Sequence, residues 1–567
     1  MKRTLKFLLV TCFIAGLFVL ASCSGIGGSK PSAGPLITYT YWEEYCESDM
    51  EFLQSPDDVV TPYMEERFGI KLGDLMITPR DMPWHQALEM WAAADNMPDV
   101  INLPNSLMPR AARMGHFAVL DPYIEKMENY KTKIYPENLW ERNKIDGSTY
   151  SLNQAVTTPE FQVTDPYTMG LGAHTLYFRE DILTLLGYTF EPADSIIART
   201  TAVGIKPTPD DLKIDPPIDT PEKLFEAVTR IKELGLKING LDVIPFSMVS
   251  WHTHHFGNIF DFGYWRTYNG QVDGYFGSPG TKEFLAYLNK YYQNDLIDKD
   301  YILITSQQYG EKVAQGRIAS GIAYIPDMIS VLQVLEETVP GAKLRFIPWP
   351  KKIPDAGFYD IVQPESYRHL MVSNKLPEKD IERLTQFWDW CYSDEGQEIM
   401  CWGPESGGLW EVKDGKKVFK DSSVEYDCLN SVRNANGADK YGLSDTVMQY
   451  SPLIRAGVGG SLGTHTFYRS YPPSINFYEF TKNMQGMNGL SLRGNGSMGN
   501  GEPVVTDVED WYWEEFLEKD IGKILNATNP AEFDKAYAEL EASFANRCEY
   551  AVAKTSMEQY FRDYPPY

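Results

Sequence analysis

The densest group of chemistry-bearing side chains in the sequence is "WHTHH" (Trp251–His255), which holds three of the eight histidines. If this segment is extended, His252 and His254 share one strand face, as in a His-x-His metal pair. A zinc site also needs further ligands, and no neighbouring segment specifies them. We therefore predict no metal site here. A structural role for the group is expected, with contact to a ligand by His252 as the alternative.

No motif of a known catalytic centre is present elsewhere in the sequence. It contains no EF-hand loop, phosphate-binding glycine loop or nucleophile elbow. The later cysteines show neither CxxC nor metal-type spacing, and a disulfide between Cys391 and Cys401 stays open; these cysteines are Cys46, Cys391, Cys401, Cys428 and Cys548. With 78 acidic residues a pair of catalytic carboxylates can always be proposed, so a hydrolase or lyase remains an alternative. The acid-rich segment Val508–Asp520 is predicted to be a helix with a solvated face and with Trp511 or Trp513 packed inward.

The N-terminus has the composition of an export signal. A basic start precedes the apolar run Phe7–Leu20, which is short of the roughly 20 residues that span a bilayer. The run ends in "LASC" (Leu20–Cys23), which resembles the bacterial lipobox. This resemblance implies that residues 1–22 are a signal peptide and that Cys23 becomes a lipidated first residue; a plain signal peptide is the alternative. The Gly-, Ser- and Pro-rich segment Ser24–Pro35 is typical of a flexible tether.

The remaining 545 residues are enough for two or more domains with cores of their own. Removing Lys2, Arg3 and Lys6 with the signal moves the formal net charge from -26 to -29. A chain this acidic is repelled by nucleic acid and by anionic lipid, so we expect neither as a partner.

The elements that must position these side chains alternate between strand and helix. "LITYTYW" (Leu36–Trp42) alternates like a strand, a helix is predicted near Asp57–Phe68, and "IKLGDLMIT" (Ile70–Thr78) predicts a second strand. This β-α-β order predicts an α/β fold with mainly parallel sheets. Further helices are predicted from Thr220-Pro221-Glu222 onward, over Thr281–Gln293 and over Ile381–Cys391, and the C-terminal hundred residues read as helical. Residues 191–219 are predicted to form a surface loop, and Asn483–Pro503 a long exposed loop.

Several segments resemble one protein family in the same order along the chain. The family is that of the extracellular solute-binding lipoproteins of bacterial ABC sugar importers, similar in fold to maltose-binding protein. The segments that carry the resemblance are "MPDVINL" (Met97–Leu103), "HFAVLDPYIEK" (His116–Lys126), "LYFREDILTLLGY" (Leu176–Tyr188), "LNKYYQNDLIDKDY" (Leu288–Tyr301) and "FWDWCYSDEGQEIMCWGPESGGLWE" (Phe387–Glu411). The insertion after Tyr188 and the Gly-rich segment near residue 490 depart from the family pattern, so the ligand stays open.

The resemblance implies two α/β lobes of the type II periplasmic-binding-protein fold, joined by hinge strands, with the ligand between them. Mapped onto this chain, the signal peptide is 1–22, the tether 23–35, lobe 1 is 36–153 plus 355–400, and lobe 2 is 154–354 plus 401–567. It further implies a monomeric, non-enzymatic protein without a cofactor, held on the extracytoplasmic face of the cell membrane through Cys23. The implied partners are a carbohydrate ligand and the transmembrane subunits of an ABC permease.

Ligands of open α/β lobes bind at the carboxyl ends of strands, and sugars pair aromatic platforms with polar side chains. These two rules select the candidate residues Tyr41, Trp42, Glu43, Asp81, Trp84, Asn153 and Gln154 in lobe 1, and Trp251, His252, Trp265, Tyr324, Asp327, Trp402, Glu405 and Trp410 in lobe 2. The resemblance favours Trp42, Trp251 and Trp402 among them, because it assigns all three to loops that face the cleft. For each, packing in the core or at its rim is the alternative.

Two other binding functions stay open at this level. The fold does not fix the ligand, so a peptide or another solute is an alternative to a sugar. An adhesive surface protein is a more remote one.

Overall fold

A computed structural model describes most of the chain. The described residues are 35–43, 55–79, 82, 84–104, 107–133, 139–154, 174–203, 209–268, 270–350, 352, 368–413, 415–421, 424, 439–443 and 499–563. The signal, the tether with Cys23, Asp81 and nearly all of the loop expected at Asn483–Pro503 lie outside them.

The regular elements of these residues are numbered in chain order. The strands are β1 (Ile37–Glu43), β2 (Ile70–Leu75), β3 (Val100–Pro104), β4 (Lys144–Ile145), β5 (Ser148–Thr149), β6 (Leu152–Gln154), β7 (His174–Arg179), β8 (Lys237–Ile238), β9 (Leu241–Asp242), β10 (Gly263–Tyr268), β11 (Gln271–Tyr275), β12 (Ser320–Tyr324), β13 (Leu344–Ile347), β14 (Arg368–Val372), β15 (Trp410–Lys413) and β16 (Lys416–Phe419). The α-helices are α1 (Val60–Phe68), α2 (Trp84–Ala93), α3 (Met108–Arg113), α4 (Asp121–Ile124), α5 (Glu128–Lys133), α6 (Leu139–Arg142), α7 (Glu180–Leu185), α8 (Ala193–Val203), α9 (Pro221–Glu233), α10 (Thr253–Gly257), α11 (Thr281–Gln293), α12 (Ser306–Ala314), α13 (Ile325–Thr338), α14 (Glu378–Cys391), α15 (Asp394–Trp402), α16 (Pro503–Asp510), α17 (Ile521–Leu525), α18 (Pro530–Arg547) and α19 (Tyr550–Asp563). A π-helix, Trp511–Asp520, continues α16.

The first lobe is built on a sheet of strand order β2-β1-β3-β14-β6. The strands β1, β2 and β3 are parallel, whereas β14 runs antiparallel to both of its neighbours. Both faces of this sheet are covered, and successive residues of β1 enter different cores: Tyr41 packs with the helices α1 and α14, and Trp42 packs with α2 and α3. The mainly parallel arrangement predicted from the β-α-β order therefore holds for the pairings of β1 with β2 and β3 and not for those of β14.

The second lobe has a mixed sheet. Strand β7 pairs antiparallel with β12 on one side and with β13 on the other. The adjoining segment that contains Ile244 and Ser247 makes parallel bridges to Ile318 and Gly321. The expectation of a mainly parallel sheet is therefore wrong for the described strands of this lobe, because β7 and β12 run in opposite directions.

The boundary expected between residues 400 and 401 also changes. Met400, Cys401 and Trp402 are buried in the core of the first lobe, and Phe419 and Leu443 pack in the same core. The described residues between 401 and 443 therefore belong with the first lobe. The chain rejoins the second lobe in the C-terminal helices, whose Val505 and Trp511 pack in its large core.

Helix termini follow the local signals in the sequence. Thr220 caps α9, where its Oγ1 accepts a hydrogen bond of 3.3 Å from the backbone N–H of Lys223. The surface loop predicted for residues 191–219 is wrong in part, because the segment contains α8 and a 3₁₀ turn, Pro209–Leu212. The buried Arg345 holds this insertion by donating to the backbone oxygens of Glu191 and Asp211, at 2.5 and 3.1 Å.

Cys391, Cys401 and Cys548 are buried, and no disulfide joins Cys391 to Cys401. Among the described residues, no helix is both long enough and apolar enough to cross a bilayer.

Candidate functional site

The carboxyl edge of the first-lobe sheet faces the second lobe. Helix α3 follows the end of β3, and its Pro109 lies against Gly501 of the second lobe. Helix α2 follows β2, and the Nδ1 atom of its His85 lies 3.8 Å from Glu514 Oε1 of the π-helix. Because β1 is parallel to both β2 and β3, its carboxyl end lies at this same edge.

A polar cluster closes the end of β1. Tyr41 donates a hydrogen bond of 3.1 Å from its hydroxyl to Glu43 Oε2, and Asn102 Nδ2 donates to the Tyr41 hydroxyl at 3.3 Å. All three side chains are buried. The predicted candidates Tyr41 and Glu43 are thus brought together, and Asn102 joins them although the sequence rules did not select it.

Trp42 lies on the opposite face of the sheet and is fully buried. Its indole Nε1 donates to Thr78 Oγ1 at 2.9 Å, and its ring packs edge-on against Trp91 at 5.3 Å. These contacts are those of a core residue, as the alternative interpretation anticipated.

Strand β6, the last described element before the chain enters the second lobe, is hydrogen-bonded to the first lobe. The hydroxyl of Tyr130 accepts a hydrogen bond from the backbone N–H of Asn153 at 3.1 Å, and Tyr392 donates to the Asn153 carbonyl oxygen at 2.9 Å. Gln154 pairs with Arg368 at the end of β6. Both candidates therefore lie at the sheet edge, with Asn153 fixed by two tyrosines.

In the second lobe, "WHTHH" forms a 3₁₀ turn followed by the short helix α10, not the extended strand that a His-x-His metal pair requires. The side chains of His252, His254 and His255 are buried, and Trp251 is partly exposed. Among the described residues, no three His, Cys, Asp or Glu side chains meet as metal ligands. The histidines pack instead with other rings.

These rings form a continuous set, here called the aromatic row. It runs from Trp251 to His252 (3.9 Å between ring centroids), to His255 (5.7 Å), to His254 (3.9 Å) and to Trp513 (5.5 Å). Trp513 is partly exposed and is followed directly by Glu514, which contacts His85 of the first lobe. Trp84, the residue before His85, is also partly exposed. The row therefore leads from the second lobe to a predicted candidate of the first.

The π-helix explains why Trp513 lies in this row. The sequence indicates only that Trp511 or Trp513 packs inward, and the structure buries Trp511 completely while leaving Trp513 partly exposed. An i→i+5 ladder is rare and occurs often at functional sites. The expected solvated face is wrong in part, because Glu509 is buried.

Burial raises the pKa of Asp510, the last residue of α16, to about 7, and repulsion from Glu514 and Asp507 adds to this effect. Arg110 of the first lobe and Arg547 of the second act in the opposite direction. The second-lobe side of the edge therefore gathers carboxylates where the first-lobe side presents a cation.

The remaining candidates do not join the row. Trp265 is fully buried and stacks on Tyr550, with a centroid separation of 5.4 Å. Trp402 is fully buried against Phe419 in the first lobe, and Glu405 is exposed in the turn that follows. Trp410 is partly exposed in the hairpin of β15 and β16.

Tyr324 and Asp327 lie at the junction of β12 and α13. This junction is at the same edge as Trp251, because the segment that leads to Trp251 bridges parallel to β12. Asp81 lies outside the described residues.

Two comparisons, with protein-family models and with curated proteins, give no match. Solved structures match over nearly the whole chain. The alginate-binding protein AlgQ2, determined without calcium ion, is 17% identical with a TM-score of 0.65, over 94% of this chain and 99% of that chain. The S. pneumoniae ABC-transporter substrate-binding protein FusA in complex with kestose is 13% identical with a TM-score of 0.57, over 93% of this chain and 100% of that chain.

An HMO-binding, ABC-transporter-associated solute-binding protein from Bifidobacterium longum infantis is 14% identical, with a TM-score of 0.56, over 94% of this chain and 99% of that chain. At these identities the comparison identifies the fold. The chain has the two-lobed α/β fold of these solute-binding proteins.

Proposed function

We propose that this protein is the solute-binding subunit of an ABC importer and that it captures an oligosaccharide between its two lobes. The observation that carries the proposal is the match to carbohydrate-binding proteins along both lobes, over 93% or more of the chain. The partly exposed rings at the facing edges supply the surface that such a ligand needs.

We infer that Trp84, Trp251 and Trp513 are the sugar platforms. A sugar ring has apolar C–H faces, and an indole offers a large rigid surface that loses little conformational entropy on contact. All three rings are partly exposed, and each lies at or beside the interlobe edge. Trp42, Trp265 and Trp402 are buried in the lobes, so we assign them to the cores and not to the ligand.

Sugar hydroxyls also need hydrogen-bonding partners, because burying them unpaired is unfavourable. The buried cluster of Tyr41, Glu43 and Asn102 lies at the carboxyl edge of the first-lobe sheet, where we place the polar side of the site. His252 lies next to Trp251 in the second lobe. Hinge motion of the two lobes then encloses the ligand between the polar edge and the aromatic row.

The point at which the described chain enters the first lobe is compatible with a surface tether. The chain enters the first lobe at β1, at the sheet edge opposite to the second lobe. Arg383 fixes this point by donating to the backbone oxygens of Pro35 and Gly69, at 2.5 and 3.3 Å. We propose that a lipid on Cys23, as the lipobox resemblance implies, holds the protein through the segment that leads into β1.

The test is a thermal-shift screen of a glycan library against the mature protein, with analysis of the glycans afterwards. A ligand that binds only the folded state raises the free energy of unfolding by RT ln(1+[L]/Kd), and the melting temperature rises as a result. We expect one class of oligosaccharide to stabilise the protein and to be recovered intact. Cleaved products would indicate an enzyme, and stabilisation by peptides alone would indicate a peptide-binding protein; either result contradicts the proposal.

Matched variants locate the site. Trp251→Ala is expected to abolish the shift, whereas Trp410→Ala, another partly exposed tryptophan outside the aromatic row, is expected to retain it. Equal shifts in the two variants would contradict the assignment of Trp251.

A further inference from the structure

Charged and polar side chains join the two lobes along the start of the C-terminal segment. Arg113 Nη2 of α3 lies 3.3 Å from Glu502 Oε1, and His85 Nδ1 of α2 lies 3.8 Å from Glu514 Oε1. Arg110, which pairs with Glu89 within the first lobe, is close enough to Asp510 to act on its ionisation. We call these residues the charged seam.

The seam is polarised between the lobes. His85, Arg110 and Arg113 come from two neighbouring helices of the first lobe, whereas the carboxylates come from the second lobe. The acids are crowded, since Glu514 and Asp507 both repel the charge of Asp510. This crowding is relieved in part by Arg110 of the opposite lobe and in part by Arg547 of its own lobe.

Backbone packing brings the same surfaces together. Gly501 adopts a φ of +74°, and a Cβ atom built on it would lie 2.1 Å from Pro109 Cγ. A side chain at position 501 would therefore collide with α3 at the point where Arg113 meets Glu502. The seam combines a close backbone approach with complementary charge.

We propose that the charged seam is an electrostatic latch that shifts an open–closed equilibrium of the two lobes toward the closed arrangement, and that Arg113 and Glu502 are positioning residues for ligand capture. The second half of this inference rests on the proposed function, because only a ligand held between the lobes gains affinity from their closure. The seam side chains are between about one fifth and one half exposed. Salt therefore screens the latch, since the Debye length falls from about 10 Å at 0.1 M to about 3 Å at 1 M.

Charge reversal tests the latch without any ligand. Arg113→Glu and Glu502→Arg each place like charges opposite one another, and the double variant restores an opposite pair in reversed order. The radius of gyration from small-angle X-ray scattering is measured for each in 50 mM and 1 M NaCl. We expect both single variants to be larger than the native protein at low salt, the double variant to return toward the native value, and the differences to shrink at high salt.

Two controls separate the seam from local effects. Lys126→Glu reverses a charge in the exposed pair Lys126–Glu382, which lies wholly within the first lobe, and is expected to leave the radius unchanged. Arg113 also lies 3.8 Å from Asp146 of its own lobe, so Asp146→Asn is expected to leave the radius unchanged as well.

Single variants with the native radius at low salt, or a double variant as expanded as the single ones, would overturn the latch. Neither readout involves a ligand, so a failed glycan screen leaves this result standing and contradicts only the proposed function. Conversely, glycan binding that survives both single variants with unchanged affinity would overturn the positioning role.

Discussion

Trp42 lies near the carboxyl end of β1 and Trp251 follows the segment that bridges to β12, yet Trp42 is fully buried against Trp91 whereas Trp251 stays partly exposed beside Ser306. The interlobe edges of the two lobes also differ in the rings and polar groups that they present. The first lobe buries Trp42 and Trp402 in its two cores, leaves Trp84 partly exposed, and has a buried polar cluster at its edge with cations beside it. The second lobe presents the aromatic row and crowded acids. We propose that a ligand between these edges meets polar side chains of the first lobe on one side and the aromatic row on the other.

The largest expected effect is on stability, and it separates the two tryptophans. Trp42→Ala removes a fully buried ring and is expected to lower the free energy of unfolding by about 3–5 kcal/mol. Trp251→Ala is expected to lower it by about 1 kcal/mol or less, because the ring is already partly exposed. Urea denaturation followed by circular dichroism measures both. Similar losses would mean that Trp251 is a core residue.

The next largest effect is on ligand affinity, where the partly exposed tryptophans matter more than the buried ones. Trp251→Ala and Trp513→Ala each remove a platform worth about 1.5–3 kcal/mol of apolar burial, which corresponds to roughly a 10- to 100-fold weaker Kd. Isothermal titration with the glycan found in the screen measures this change. Trp265→Phe serves as the buried control and is expected to keep the native Kd, since Trp265 lies in the core.

The crowded carboxylates of the second lobe lead us to expect that stability depends on pH. Burial raises the pKa of Asp510 to about 7, above its value of about 4 in the unfolded chain. The folded protein therefore binds this proton more tightly, and stability is lost as pH rises from about 4 to about 7.

Asp510→Asn removes this ionisation. Allowing for the partial exposure of the side chain, we expect the variant to be more stable than the native protein by roughly 1–3 kcal/mol at pH 8 and nearly equal to it at pH 4.5. Denaturant titrations at the two pH values measure the difference. A variant that is less stable at pH 8 would show that the charge of Asp510 is stabilising.

The smallest expected effect belongs to His85 of the first lobe. His85→Ala removes one partly exposed partner of the seam and is expected to change the free energy of unfolding by less than about 0.5 kcal/mol. The same denaturant titration measures it. A larger loss would mean that the seam contributes to folding of the lobes and not only to their closure.

Much of the fold could be predicted from local patterns. The alternation in β1, the Thr220 cap and the apolar spacing of α11 and α14 each determine an element within the segment that carries the pattern. The mixed sheet of the second lobe could not be predicted, because the direction of β7 relative to β12 depends on the path of the chain between them. The assignment of residues 401–443 failed for a related reason, since only packing against Phe419 and Leu443 places Trp402 in the first lobe.

The candidate site was predictable only in part. The strand-end rule selects Trp84 and Trp251, which lie at the edge, but it also selects Trp42, because it ignores which face of a doubly covered sheet a side chain takes. The helical pattern left Trp511 and Trp513 equivalent, and the π-helix separates them. His85 and Glu514 are more than 400 residues apart in sequence, so no local signal indicates their contact.

We propose that a sugar binds between these two unlike edges and draws them together. Small-angle X-ray scattering of the mature protein, with and without the oligosaccharide found by the screen, tests it most directly. We expect a smaller radius of gyration on saturation with ligand and no such change in the Trp251→Ala variant at the same glycan concentration. Tight binding of the glycan that leaves both radii unchanged, or that contracts the variant as fully as the native protein, would contradict it.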